Sequence, residues 1–408
     1  MIKKLSISLV VTLGLGLGIL AQFQTVQAQD DEPLTHDIPY LAAGLIPLED
    51  RSKLSPMRET IEERMAEANT PGVAVAVIKN GKVDWAGGFG TAVAGKAIPV
   101  DENSVFSAGS VSKLVNAALI FRLVDEGVLD LDADVNTYLS SWKVPQSEFT
   151  RTQKVTLRRL LSHSAGINLH GFGDFDPGER LPTVIQTLNG ASPAKHDPIE
   201  ILFEPGSAMK YSGGGITISQ LVVTDVTGQT YEEAARRYVF DPLGMSRSTF
   251  ANPLPEDYGN IAYAHGREGR PAALPRGYES MPEVAASGLW TSAADMGKFL
   301  SALLTNDGFL SEELRTAMFT RQPNSWHGLG PRVNGADEKH VIHHGRSNNS
   351  YQSWFEAHPH TGDGVVVLTN GAGGRTLAYE VRISLERELG WQVNFPDDFD
   401  EPEGLRHD

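Results

Sequence analysis

The chain has 408 residues, of which 40% are hydrophobic and 21% charged, and its formal net charge is −16. This length is enough for one large domain, or two that pack closely together, around a sizeable apolar core. The negative charge argues against nucleic acid and anionic lipid surfaces as partners, and the lack of cysteine excludes disulfides, a thiol nucleophile and a cysteine-based zinc site.

Residues 1–28 have the three-part layout of a secretory signal peptide. Lys3 and Lys4 precede an apolar run over residues 5–21, and the small-residue site Val26-Gln27-Ala28 follows. We expect cleavage after Ala28, which would leave a periplasmic or secreted protein without stable membrane insertion. The alternative is an uncleaved anchor, because a run of this length lies at the lower limit for crossing a bilayer.

An extended lead-in is expected over residues 29–54, before a folded domain over 55–395. Ser55-Pro56 is typical of a helix start, because serine caps a helix and proline is tolerated at its first position. The apolar run Gly72–Ile78, the pair Asn80-Gly81 and the run 82–86 then predict a β-hairpin with a tight turn.

Helical patterns fill the middle of the chain, for example over residues 114–126, 217–226 and 292–304. A second pair of strands is expected at 351–357 and 365–369, and an amphipathic helix over about 377–389 follows it.

Strands at both ends with helices between them favour an α+β fold. We predict an antiparallel β-sheet formed by the N- and C-terminal segments, about residues 55–100 and 340–390. Helices flank this sheet, and a mainly helical subdomain is inserted over about 110–330. Residues 396–408 are typical of an acidic tail in solvent.

A serine and a lysine three residues apart begin the first long helical run, in Gly109-Ser110-Val111-Ser112-Lys113. Residues with this spacing share one face of a helix, so the Ser110 hydroxyl and the Lys113 ammonium are expected to meet. A serine becomes a good nucleophile when a neighbouring group takes its proton, and a lysine does so if burial and nearby positive charge lower its pKa. The Ser110 N–H at the helix start can also help to stabilise an oxyanion. Because Ser-x-x-Lys also arises by chance, the surrounding sequence decides whether this pair is a functional motif.

That context is Phe106–Ser110 before the motif and two further motifs after it, and with them the chain resembles the serine β-lactamase and penicillin-binding-protein superfamily. The resemblance covers about residues 56–390 and is to the class C-like branch, which includes D-peptidases and esterases. It implies a β-lactamase/transpeptidase-like fold, Ser110 as nucleophile, Lys113 as a proton-handling partner, and neither a metal nor another cofactor.

The second motif of that family, Tyr-x-Asn, is matched to Tyr211-Ser212-Gly213. The resemblance assigns proton transfer to Tyr211, a phenol whose pKa an adjacent lysine charge can lower, and it leaves open whether Tyr211 or Lys113 is the general base. Gly213 takes the substrate-binding position where the family has an asparagine amide. Efficient β-lactam hydrolysis is therefore not expected.

The third motif, Lys-Thr-Gly or His-x-Gly, is matched to His344-Gly345-Arg346-Ser347, with His343 as the alternative to His344. The resemblance then gives His344 a role at the site and places Gly345 and Arg346 at the substrate, although the family has a glycine in place of Arg346. The Ser347 N–H would complete the oxyanion hole with the Ser110 N–H. An Arg346 guanidinium facing the cleft would bind a substrate carboxylate.

Other conspicuous residues are interpreted as structural. His163 lies in a stretch that matches the family scaffold, and Ser110 already has two partners without it. The histidines lack His-Glu-x-x-His or comparable spacing, so no metal site is expected. The segment Gly171–Gly178 lacks the Lys-Ser/Thr ending of a phosphate loop, and no Gly-x-Ser-x-Gly elbow surrounds Ser110.

These motifs predict a serine hydrolase that forms an acyl-enzyme from a small-molecule ester, an amide or a short D-peptide. A carboxylesterase, a D-amino-acid peptidase and a β-lactamase-like enzyme all remain open. The alternative is a catalytically silent relative that binds cell-wall peptide or a partner protein through the same cleft. Gly213 and Arg346 keep that alternative open, whereas the retained Ser110 and Lys113 argue against it.

Overall fold

The computed structural model describes residues 39–176, 178–255, 257–275, 281–347 and 350–394. Within these ranges the chain forms an antiparallel β-sheet with helices on both faces, which confirms the predicted α+β fold. The predicted signal peptide and acidic tail lie outside the described residues. No helix in the described ranges is long and apolar enough to cross a membrane.

We number the described strands and helices in chain order. The strands are β1 (Leu48–Asp50), β2 (Lys53–Leu54), β3 (Gly72–Lys79), β4 (Lys82–Gly90), β5 (Phe106–Ser107), β6 (Trp290–Thr291), β7 (Arg332–Asn334), β8 (Val341–Ser347), β9 (Gln352–His358) and β10 (Asp363–Thr369). The helices are α1 (Ile61–Glu67), α2 (Ser112–Asp125), α3 (Leu157–Leu161), α4 (Val184–Leu188), α5 (Gly213–Thr227), α6 (Tyr231–Ala235), α7 (Val284–Ser287), α8 (Ala293–Leu304), α9 (Glu312–Phe319) and α10 (Gly374–Leu389).

The main sheet has the strand order β4-β3-β10-β9-β8-β7, and all its neighbouring strands are antiparallel. The N-terminal part of the chain supplies β3 and β4, and the C-terminal part supplies β7 to β10. The two parts join where β3 pairs with β10, with Val73 opposite Thr369. The chain therefore leaves this sheet after β4 and returns at β7, and most of the helices lie between.

β3 is central because both of its faces are apolar, as the unbroken hydrophobic run predicts. Its side chains alternate between two cores: Val73, Val75 and Val77 pack with residues of α1 and α10, whereas Ala74, Ala76 and Ile78 belong to the larger core that includes α2, α5 and α8. The turn to β4 is tight because Asn80 and Gly81 both have positive φ, at 51° and 77°.

Four predicted helices agree with α2, α5, α8 and α10 to within a few residues. The starts and ends have clear local causes. α5 ends at Gly228, whose φ of 65° suits glycine, and α8 begins after Ser292, whose side chain accepts a hydrogen bond from the Asp295 N–H.

The predicted helix start at Ser55-Pro56 is wrong, because α1 begins only at Ile61. Glu59 instead pairs with Leu45 as a β-bridge, and the described part of the chain is not helical before α1. Thr60 then caps the helix, since its side chain accepts from the Glu63 N–H while the Glu63 carboxylate accepts from the Thr60 N–H.

The expected extended lead-in also differs from the structure in its described part, residues 39–54. β1 and β2 form a short antiparallel pair there. The segment is fastened to α10, because the Ile46 N–H donates to the Ser384 hydroxyl (2.8 Å) and the Leu48 N–H donates to the Glu380 carboxylate (2.9 Å). It is therefore part of the folded domain.

Candidate active site

Ser110 and Lys113 meet at the start of α2. Ser110 lies in a short 3-10 turn, Gly109–Val111, which leads directly into the helix. The Lys113 ammonium donates to Ser110 Oγ at 3.1 Å and to the Ala286 carbonyl of α7 at 2.7 Å. Both side chains are almost fully buried, with 1% and 2% of their surfaces exposed. The predicted contact is present, and α7 supplies a second acceptor for the lysine.

Tyr211, which lies just before α5, contacts the same hydroxyl group. Its OH lies 3.0 Å from Ser110 Oγ, and the Lys113 ammonium lies 5.0 Å from the centre of its ring. The start of α5 fixes the tyrosine, because the next residue, Ser212, caps that helix by accepting from the Gly215 N–H. Both predicted partners of Ser110 are thus within hydrogen-bonding distance of its Oγ.

Three buried histidines, His163, His327 and His344, surround the Tyr211 ring. Their ring centres lie 4.3, 6.0 and 6.2 Å from that of the tyrosine. Burial lowers the pKa of each imidazole well below its usual value near 6.5, with nearby positive charges adding to the effect. These three neighbours of the half-buried tyrosine are therefore neutral imidazoles at neutral pH.

The hydrogen bonds of two of these rings fix which nitrogen carries the proton. His163 Nδ1 accepts from the Ser212 N–H at 3.2 Å, so its proton is on Nε2. His344 Nδ1 lies 3.1 Å from the Gly345 carbonyl, which only accepts, so its proton is on Nδ1 and Nε2 is an acceptor. His163 thus holds the backbone next to Tyr211, which agrees with a structural role.

The third motif lies on β8, where alternation separates the two histidines. His344 faces Tyr211 and His327, whereas the His343 ring stacks on Trp354 at 5.4 Å between ring centres. The structure therefore places His344, and not His343, at the site. The next residue, Gly345, must be a glycine, because a Cβ there would lie 2.2 Å from the Trp354 ring.

Ser347 ends β8, with Gln352 as its partner on β9. On the opposite edge, β7 pairs only with residues 341–343, so the strand neighbours in the described chain leave the edge of 344–347 uncovered. β8 also packs against the turn that holds Ser110. This placement is compatible with an oxyanion hole made by the two backbone N–H groups. The predicted Arg346 contact with substrate concerns a side chain outside the described ones.

Gly213 is the first residue of α5 and is buried.

Three residues near the site were not singled out from the sequence. Ala286 acts through its carbonyl, which no sequence pattern marks; His327 precedes Gly-Leu-Gly and has no motif spacing to the other histidines; His170 lies 5.1 Å from Tyr211 between ring centres. Among the residues with described positions, no three histidine or acidic side chains are arranged to hold a metal ion.

A sheet of this topology with a buried serine in contact with a lysine and a tyrosine defines the class of β-lactamases and penicillin-binding proteins. A sequence model of the β-lactamase family matches residues 57–385, and the chain belongs to this family.

The similar proteins include penicillin-binding proteins and an esterase. Penicillin-binding protein 4 of Amycolatopsis lactamdurans is 33% identical over 202 residues, so the match spans about half, 49%, of each chain. Esterase EstB of Burkholderia gladioli is 27% identical over 312 residues, which cover 67% of this chain and 75% of the esterase. The octameric penicillin-binding protein homologue from Pyrococcus abyssi superimposes with a TM-score of 0.68 at 27% identity, covering 82% of this chain and 76% of that one.

Proposed function

We propose that this chain is a serine hydrolase that forms an acyl-enzyme on Ser110 and acts on carboxylic esters. The observation that carries the proposal is the buried Ser110 hydroxyl, which contacts both the Lys113 ammonium (3.1 Å) and the Tyr211 phenol (3.0 Å). A binding module has no need for a buried serine held between two proton carriers, so these contacts favour catalysis over the silent alternative.

In the first half of the reaction, Ser110 Oγ attacks the ester carbonyl carbon while its proton passes to a neutral Lys113 amine or a Tyr211 phenolate. The carbonyl oxygen becomes an oxyanion that the N–H groups of Ser110 and Ser347 stabilise. The tetrahedral intermediate then collapses, the bond to the alcohol oxygen breaks, and the alcohol leaves with the proton.

In the second half, a water molecule attacks the acyl-enzyme and gives a proton to the same base. The second tetrahedral intermediate releases the carboxylic acid, and Ser110 Oγ takes its proton back. Lys113 and Tyr211 both reach Oγ, so they form one proton-handling pair.

Three considerations favour esters over amides and β-lactams. Gly213 provides no side-chain amide at the second motif. An esterase is among the relatives, aligned over most of both chains. An ester also has a better leaving group than an amide, so it places less demand on protonation of the departing atom.

Intact-mass spectrometry tests the proposal. The mature protein is incubated with a fluorophosphonate, which replaces fluoride with a serine oxygen, and separately with a penicillin. We expect a single fluorophosphonate adduct on the wild type and on Ser52→Ala, an exposed control serine, and none on Ser110→Ala. A lasting penicillin adduct would place the activity nearer the penicillin-binding relatives, and no adduct from either reagent would reject the hydrolase.

We also propose that the protein is exported, and the same spectra test this. An intact mass that corresponds to a chain starting at residue 29 would require signal-peptide cleavage after Ala28.

A further inference from the structure

The segment Leu169–Phe172 lies directly against the residues that follow Tyr211. The Gly213 N–H donates to the His170 carbonyl at 2.9 Å, and the Gly214 N–H donates to the Leu169 carbonyl at 3.1 Å. The Ser212 hydroxyl also donates to the Leu169 carbonyl, at 2.7 Å. The carbonyls at the start of this segment are therefore already bonded to the first turn of α5.

This segment fills the space into which a side chain at position 213 would extend. A Cβ on Gly213 would lie 3.0 Å from the His170 carbonyl oxygen and 3.0 Å from Cε2 of Phe172. Both distances are shorter than the ordinary contact of about 3.5–4.0 Å, so even one added carbon requires the Phe172 ring to move. The glycine and the segment thus fit each other, and an asparagine at 213 would require the Phe172 ring to shift.

The part of the segment nearest solvent is aromatic. His170 is exposed, and its ring centre lies 5.1 Å from that of Tyr211, the residue that contacts Ser110. Phe172 is half-buried, and its ring packs against His196 with 5.7 Å between centres. The surface between Tyr211 and solvent is therefore partly formed by the aromatic rings of this segment.

We infer that Leu169–Phe172 is the substrate-selecting wall of the site, and that it admits esters with an apolar acyl chain in preference to acyl groups that carry an amide. The inference rests on the proposed function, since it concerns the acyl group that Ser110 receives. An amide placed against the Phe172 ring loses water on the side of the ring, and the Leu169 and His170 carbonyls already accept hydrogen bonds from residues 212–214. A polar group buried without a partner is disfavoured about tenfold or more.

The test compares two esters of equal chain length, p-nitrophenyl hexanoate and p-nitrophenyl N-propionylglycinate, in which an amide replaces two methylene groups. For each, kcat/KM of the full mature protein is divided by the rate of spontaneous hydrolysis. We expect the wild type to prefer the hexanoate by about tenfold or more. Equal values, or a preference for the amide-bearing ester, would overturn the wall.

Two variants locate the preference in the wall. Phe172→Ala with Gly213→Asn opens the space and supplies an amide, so the preference should fall by about tenfold or more. Phe172→Ala alone, which leaves the α5 start unchanged, should lower it in the same direction. The control Ile98→Ala removes another partly exposed apolar side chain, 43% exposed, and should keep the wild-type ratio.

The outcomes separate this inference from the proposed function. A Phe172→Ala protein that hydrolyses the hexanoate with an unchanged ratio overturns the wall. If a fluorophosphonate labels Ser110 while the wild type shows no preference, the hydrolase stands and the wall fails. If Ser110 is not labelled, both fail.

Discussion

Glu283 is a buried carboxyl group that the proposed chemistry does not use, and glutamine at this position tests its protonation. The residue is 2% exposed, and burial raises the pKa of Glu283 to about 7. One carboxyl oxygen accepts from the Thr187 hydroxyl at 2.8 Å, and the other has no hydrogen-bond partner among the described residues. Glu283 immediately precedes α7, whose Ala286 carbonyl holds Lys113.

A raised pKa means that the folded protein holds this proton more tightly than the unfolded chain, where a glutamate titrates near about 4.3. The resulting stabilisation is fully present below about pH 4.3 and is lost as the pH rises through about 7. Between pH 5.5 and pH 8.5, proton linkage predicts that the wild type loses about 2 kcal/mol of unfolding free energy from this group. Glutamine does not titrate, so Glu283→Gln lacks that loss.

Urea unfolding followed by circular dichroism at pH 5.5, 7.0 and 8.5 measures the effect. The difference in unfolding free energy between the two proteins should change by about 2 kcal/mol in favour of Glu283→Gln as the pH rises. Glu338→Gln, at an exposed glutamate, should follow the wild type throughout. A constant difference between wild type and Glu283→Gln would mean that Glu283 does not ionise in this range, and the reasoning from burial would be refuted.

Three further predictions follow from the site. Burial lowers the pKa of His327 well below its usual value, so the folded state binds fewer protons than the unfolded chain, and the free energy of unfolding decreases below about pH 6.5. In urea unfolding, His327→Gln should make that decrease shallower by about 1.4 kcal/mol per pH unit, and equal slopes for the two proteins would contradict this. Gly345→Ala should lower the unfolding free energy by about 1–3 kcal/mol, because its Cβ meets the Trp354 ring, and an unchanged Tm would contradict it. Lys113→Met should lower kcat for an ester about a hundred- to ten-thousand-fold with its circular dichroism unchanged, and a kcat within tenfold of the wild type would exclude Lys113 from proton transfer.

Much of the fold could be predicted because its determinants are local. The Asn80-Gly81 pair specifies a tight turn, and the unbroken apolar run of β3 requires cover on both faces. The predicted start of α1 was wrong because a local signal competes there with a contact between residues farther apart in the chain. Ser55-Pro56 resembles a helix start, but the bridge between Glu59 and Leu45 depends on residues distant enough in the chain that the pattern does not reveal it.

The site could be predicted only where it is carried by motifs. Ser110 and Lys113 are three residues apart on one helical face, so their contact follows from helix geometry. The Ala286 carbonyl and the His327 ring reach the site through tertiary packing. Neither residue could be recognised as part of the site from its type or its spacing in the sequence. The choice between His343 and His344 also required the structure, because the sequence does not give the register that turns one of them towards Tyr211.

The glycine at position 213 illustrates why a lost motif residue is ambiguous in sequence alone. Read by itself, the absence of asparagine fits a silent relative as well as an altered enzyme. In the fold, the glycine is matched to a neighbouring segment whose carbonyl and Phe172 ring fill the space of a side chain. The contacts of Ser110 with Lys113 and Tyr211 are nevertheless present. A silent binder has no need of those contacts, so a glycine at position 213 beside an intact Ser110, Lys113 and Tyr211 cluster is what the proposed esterase requires.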